Sequence, residues 1–191
     1  MLLKPFRDYS EHDVVNLFAV SGVSQLAKGT LVTVVGSGFV NNASWGIAYN
    51  INPLTNNGNV YTPRWEVKAK VAVADSGNAS GLALGFTLYD VQEYNFQGVS
   101  FLYDPVRKEE AQAVVSGEAV PIVRKGLFLV GGFPSGVAAP VAGSLATLGA
   151  TGSWNVVAQG TTGVKPFGVF LGAPDADGYS LVAVDFNHAT F

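Results

Sequence analysis

The sequence predicts an all-β protein: a compact antiparallel β-sandwich or barrel of many short strands, with an N-terminal arm and at most one short helix. Three observations carry that expectation. Residues 64–75 alternate with period two, Trp65, Val67, Ala69, Val71 and Val73 on one face and Arg64, Glu66, Lys68 and Lys70 on the other. Short apolar runs recur along the chain, each bounded by Gly, Pro, Asn or Asp. Helix-start chemistry followed by good helix formers occurs once, at Asp104-Pro105, an N-cap and N1 pair ahead of residues 106–112.

The elements follow in order. Residues 1–13 read as an arm that concentrates Lys4, Arg7, Asp8, Glu11 and Asp13 beside Phe6 and Tyr9. Rings give anchor area and charges of both signs set register, which suits docking onto a partner. Lys4, Phe6, Arg7 and Tyr9 are the candidate contact residues. Extended, such an arm reaches up to about 40 Å. The plain alternative is an edge strand of its own domain. Residues 14–191 form one β-rich domain, with two possible lobes meeting near 104–118.

Residues 10–20 carry mixed signals. Ser10-x-x-Asp13 has the look of a capping box, while Val14-Val15-Asn16-Leu17-Phe18 is rich in strand formers, and strand is preferred. Strands are then expected at 30–35, 44–50, 64–75, 81–90, 98–103, 119–123, 127–131, 142–148, 154–159, 167–172 and 179–186. The runs 64–75 and 81–90, separated by Ser76-Gly77-Asn78, suggest a hairpin or near-hairpin, with Leu82, Leu84, Phe86 and Leu88 on one face of the second. Lys28-Gly29-Thr30-Leu31 and Lys125-Gly126-Leu127 repeat one phrase: a basic residue, a glycine turn and a buried strand.

Composition narrows function. Charged residues make up 13% of the chain, against about 25% in an ordinary globular domain. Gly29 to Pro63 and Gly126 to Val164 contain no Asp, Glu, Lys or Arg. A soluble chain with so little surface charge is expected to cover itself with copies or with a partner. The 11 basic residues are scattered and the net charge is −3, so no nucleic-acid footprint forms. The start of the chain lacks the apolar core of a signal peptide, and no uncharged stretch is apolar enough to span a bilayer; production in the cytoplasm, without a membrane partner, is expected.

Chemistry-bearing residues are few. There is no cysteine, and the two histidines, His12 and His188, stand near the ends. Asp175-Ala176-Asp177-Gly178 lacks the later acid of a calcium loop and reads as an Asp-Gly turn feeding the last strand. Glu109-Glu110 sits on the expected helix rather than in a cleft. Gly36-Ser37-Gly38 lacks the remainder of a nucleotide loop. No catalytic, metal or cofactor residue is therefore assigned, and a non-enzyme is expected. Trp45, Trp65 and the uncharged loop Asn50–Pro63 could form a sugar platform; core tryptophans beside a surface loop are preferred.

Several phrases stand in this order along the chain: Pro5-Phe6-Arg7-Asp8-Tyr9, Lys28-Gly29-Thr30-Leu31-Val32, Leu84-Gly85-Phe86-Thr87-Leu88-Tyr89-Asp90, Ser116-Gly117-Glu118-Ala119-Val120-Pro121, Gly168-Val169-Phe170-Leu171-Gly172 and Asp177-Gly178-Tyr179-Ser180-Leu181. Together they resemble the capsid decoration proteins (cement or head-stabilising proteins) of tailed bacteriophages. Shorter members of that family lack the long 40–80 segment present here. The resemblance implies a non-catalytic virion protein on the capsid exterior that binds the major capsid protein. It would clamp neighbouring capsomers as a homo-oligomer, trimer favoured over dimer. The alternatives are another phage structural part (baseplate, fibre base or head–tail protein) or a carbohydrate-binding β module.

Overall fold

The computed structural model describes residues 2–6, 10–20, 23, 25–35, 70–76 and 82–186. The expected strand at 44–50, the loop Asn50–Pro63 with Trp45 and Trp65, the first half of the 64–75 run, and Arg7, Tyr9 and His188 lie outside the described residues.

The strands are β1 Leu2–Pro5, β2 Val14–Val15, β3 Ala19–Val20, β4 Leu31–Val35, β5 Lys70–Val73, β6 Gly85–Thr87 and β7 Asp90–Val91. After helix α1 (Pro105–Glu110) come β8 Ala113–Val114, β9 Ile122–Val123, β10 Lys125–Gly131, β11 Leu145–Leu148, β12 Trp154–Val157, β13 Pro166–Phe170 and β14 Tyr179–Asp185. They form two six-stranded sheets and one two-stranded sheet. The outer sheet runs β1-β10-β14-β13-β11-β12 and is antiparallel throughout. The middle sheet runs β2-β9-β6-β4-β5-β3 and is antiparallel except where β3 meets β5. The small sheet pairs β7 with β8 in parallel. The sandwich is the realised form of the expected all-β fold; the described strands close no barrel.

Layering follows from which face each residue buries. Phe128, Val130, Trp154, Phe170, Val182 and Val184 of the outer sheet pack with Leu31, Phe86 and Val123 of the middle sheet in one core. On the other face of the middle sheet, Val32, Val71 and Ile122 pack with Val20, Val91 and Val114 in a second core. Neighbouring residues thus serve opposite cores: Leu31 and Val32 on β4, Ile122 and Val123 on β9. Period-two geometry makes both residues of such a pair apolar when both sheet faces are covered. Aromatic packing centres on Phe86, whose ring meets Phe128 edge-on at 4.9 Å and lies 5.4 Å from Trp154. Phe167 stacks on Phe186 at 4.6 Å.

The chain passes from the middle sheet to the outer one at Arg124. Its N–H donates to the Asp13 carbonyl and its own carbonyl accepts from Phe186. The two copies of the Lys-Gly phrase open β4 and β10, and both carry a side chain (Leu31, Phe128) into the shared core.

Helix α1 begins as expected. The Asp104 carboxylate accepts from the Arg107 N–H at 3.2 Å and Pro105 occupies the first turn. Three expectations change. The 64–75 and 81–90 runs do not pair as a hairpin: β4 lies between β5 and β6 and bonds to both, because a five-residue strand with Leu31 and Val32 facing opposite cores belongs at the sheet centre. Residues 98–103 form no strand; only the bridge Tyr94–Ser100 persists, since the segment turns back at Asn95–Gly98. Residues 10–20 split, with Ser10 Oγ accepting from the His12 N–H to cap a 3₁₀ turn at Glu11–Asp13 before the short β2 and β3.

The front of the arm is ordered on its own domain. β1 is the edge strand of the outer sheet, paired with β10 from Leu2↔Gly131 to Pro5↔Phe128. Leu3 is buried in the shared core. Alternation then sends Lys4 outward, where its ammonium lies 4.2 Å from the Tyr179 ring centroid. Phe6, 49% exposed, continues the strand by donating its N–H to the Leu127 carbonyl.

Candidate docking surfaces

Two surfaces stand out. The first is the outward face of the outer sheet. Because alternate residues of each strand fill the core, the intervening ones face away from it. Leu127 pairs with Ala183, Ala183 with Val169, Val169 with Leu145, and Leu145 with Val157. That is one unbroken apolar row across five strands, from β10 to β12. Phe6 extends it at the β1 end. A second row joins Leu129 to Leu181, whose carbonyl accepts from the Leu171 N–H. Val169 is 38% exposed and Leu171 50%. An antiparallel sheet with one wet face ordinarily places polar residues there.

Small residues hollow this face. Gly126, Gly168 and Ala183 line a shallow depression of about 540 Å³ walled by Leu127, Leu145, Pro166 and Val169. Gly168 is required: a Cβ there would stand 2.6 Å from the Ala183 carbonyl oxygen. Charge is confined to the margin. Lys125 and Asp185 pair at 3.7 Å on one lip, Lys165 precedes Pro166, and Lys4 sits toward the β1 edge.

The second surface is the turn after β7. Glu93 to Phe101 fold back as a narrow loop. The Phe101 N–H donates to the Glu93 carbonyl, the Asn95 N–H to the Val99 carbonyl, and the Gly98 N–H to the Asn95 carbonyl. Asn95 Oδ1 accepts from the N–H groups of Gln97 (2.8 Å) and Val99 (2.9 Å). Gly98, at φ +77°, takes the left-handed position that closes such turns. Arg107 of α1 donates to Gln97 Oε1 at 2.8 Å, bracing the loop from the helix. Phe96 stands at the tip, 96% exposed, flanked by exposed Tyr94, Val99, Tyr103 and Val106. The loop root is held by Phe101, buried with Ala113 and Val115. The loop thus presents a solvent-facing ring on a hydrogen-bonded backbone.

The structure places two of the four arm candidates on the first surface: Lys4 and Phe6 both lie on the outward side of the outer sheet. Sequence reasoning missed the sheet's apolar row, which depends on cross-strand register. It also missed the Phe96 loop, although Asn95 and Gly98 occupy positions i and i+3 of a β-turn, where those residue types are favoured.

The chemistry-bearing residues are dispersed. Among the described residues no group of three or more His, Cys, Asp or Glu is placed to hold a metal ion. Asp175 Oδ1 accepts from the N–H groups of Asp177 (3.0 Å) and Tyr179 (2.8 Å), the Asp-Gly turn read from the sequence. His12 is exposed in its 3₁₀ turn, and Glu109 and Glu110 are exposed on α1. Glu118 instead receives the Lys108 ammonium at 3.1 Å and the Val115 N–H at 2.9 Å, bracing α1 against the segment after β8. Among the described residues no helix is long and apolar enough to cross a membrane.

No protein-family model matches the chain, and no curated protein matches it.

Proposed function

We propose that this chain is a virion structural protein that binds the outer surface of an icosahedral phage capsid and stabilises contacts between capsomers. The observation that carries the reading is the outward face of the outer sheet: an apolar row five strands wide, with charge only at its margin. A face of that kind is costly in water and favourable when buried against another protein. The charge-poor composition and the resemblance to decoration proteins point the same way.

In this reading the arm contacts the shell. Lys4, Phe6, Arg7 and Tyr9 meet the major capsid protein, while the adjoining sheet face meets a neighbouring subunit of a homo-oligomer, a trimer in preference to a dimer. The virion exterior is the site of action, after synthesis in the host cytoplasm. No nucleic acid, membrane, metal or cofactor enters the proposal, and no catalytic step is assigned.

The experiment is sedimentation of the purified protein with empty, expanded heads of its cognate major capsid protein. The proposal requires saturable co-sedimentation at a fixed ratio to capsid subunits. Protein that stays in the supernatant at every input concentration contradicts it.

A further inference from the structure

The aromatic knob and the apolar depression on the outer sheet are complementary in polarity and charge. Phe96 projects from a braced turn as the most exposed ring of its neighbourhood. The depression on the outer sheet is lined by aliphatic side chains over a floor of glycine and alanine. Around the knob, residues 93–118 carry five carboxylates (Glu93, Asp104, Glu109, Glu110 and Glu118) against two cations, Arg107 and Lys108. Beside the depression stand Lys125, paired with Asp185, and Lys165, which precedes Pro166 of its wall. The acidic end therefore suits the lysine-bordered face, whereas either surface set against its own copy would bring like charges together.

We infer that a second copy of this chain occupies the depression, seating its Phe96 loop on the apolar row of the outer sheet. The contact is heterologous: each copy offers a knob to one neighbour and a face to another. Heterologous contacts generate rings when their rotation closes and open chains when it does not. The inference rests on the sheet face being an assembly interface, as proposed above, and adds which surface covers it. Phe96 is the anchor, because a ring held on a rigid turn loses little freedom on docking.

Two single variants test it, both at exposed positions. Phe96→Ser removes the knob, and Val169→Lys places a charge in the middle of the apolar row. Sedimentation velocity across a concentration series should show the wild-type chain associating, with each variant at least about tenfold weaker. The decisive sample is the equimolar mixture. Phe96→Ser protein keeps an intact face and Val169→Lys protein an intact knob, so the mixture should form heterodimers while each variant alone stays monomeric. Circular dichroism checks that both variants fold; a misfolded Val169→Lys is replaced by Ala183→Lys in the same row.

Wild-type protein that remains monomeric overturns the inference, as does unchanged association of Phe96→Ser or a mixture that stays monomeric. Association lost in Val169→Lys but kept in Phe96→Ser would mean that the sheet face packs on another sheet face instead. The readout contains no capsid, so co-sedimentation with heads stands or falls separately from this result.

Discussion

The indole Nε1 of Trp154 donates to the carbonyl oxygen of Gly29 at 2.9 Å, a buried bond between groups 125 positions apart. Trp154 opens β12, at one edge of the outer sheet, and Gly29 precedes β4, at the centre of the middle sheet. The same end of the outer sheet is tied a second time, where the Gly152 N–H donates to the Ala74 carbonyl at 2.6 Å. The apolar outward face is thus held on a sheet that is pinned to the layer beneath it.

Trp154→Phe keeps most of the ring but leaves the Gly29 carbonyl without its donor. An unpaired buried acceptor costs about 1–3 kcal/mol. Trp154→Ala adds a cavity among Phe86 and Phe167 and should cost about 3–5 kcal/mol. Chemical denaturation of the two variants should rank them in that order, with the Phe variant clearly below wild type.

Leu3 ties β1 to the shared core, so Leu3→Ala should destabilise the fold by about 2–3 kcal/mol, the lower part of the range for buried leucine. Lys4→Ala, which removes only an exposed cation–π contact, should cost about 0.5–1 kcal/mol. Thermal melts separate the two, since about 1 kcal/mol moves the midpoint of a domain this size by roughly 2–4 °C. Equal effects would mean that β1 contributes through its backbone pairing alone.

Ser180 on β14 is fully buried and its hydroxyl has no hydrogen-bond partner among the described residues. Ser180→Ala deletes that unsatisfied group with little change of volume. Stability should rise by about 1 kcal/mol, within the penalty for an unpaired buried hydroxyl. A loss of similar size in urea denaturation would show that the hydroxyl is satisfied in solution.

Gly152 combines φ +72° with close surroundings: a Cβ would stand 2.5 Å from Thr30 Cγ2 and 2.7 Å from Val73 Cγ1. Gly136 has φ +89° and open space around it. Gly152→Ala should cost about 3 kcal/mol, left-handed strain plus overpacking, and Gly136→Ala only about 1 kcal/mol. The comparison isolates the packing of the outer sheet's edge onto the middle sheet.

The outer sheet was the legible part of the fold. Its strands are four to seven residues long, and turn residues such as Gly143, Gly160 and Gly178 bound them, so 127–131, 154–159 and 179–186 fall where β10, β12 and β14 lie. The middle sheet was harder. Pairs such as Leu31-Val32 and Ile122-Val123 serve two cores at once, which removes the alternation that marks a one-sided strand. Pairing order was not legible either, because β4 separates two runs that lie closer to one another in sequence than to it. Of the docking surfaces, Lys4 and Phe6 were readable as charge beside an aromatic ring. The Leu127–Ala183–Val169–Leu145–Val157 row exists only once register is known, since its members come from five separate strands. Phe96 lies between the expected strands 81–90 and 98–103, and its exposure follows only from the Asn95–Gly98 turn that carries it.

On the proposed function, the outward face of the outer sheet is covered in the assembled virion. Hydroxyl-radical footprinting of free protein, diluted until it is monomeric, and of protein bound to expanded heads measures this directly at Leu127, Val169 and Leu171. All three should become strongly protected on the head, while Val141, exposed in the loop before β11, keeps its labelling rate. Equal labelling of the three in free and head-bound protein would contradict it.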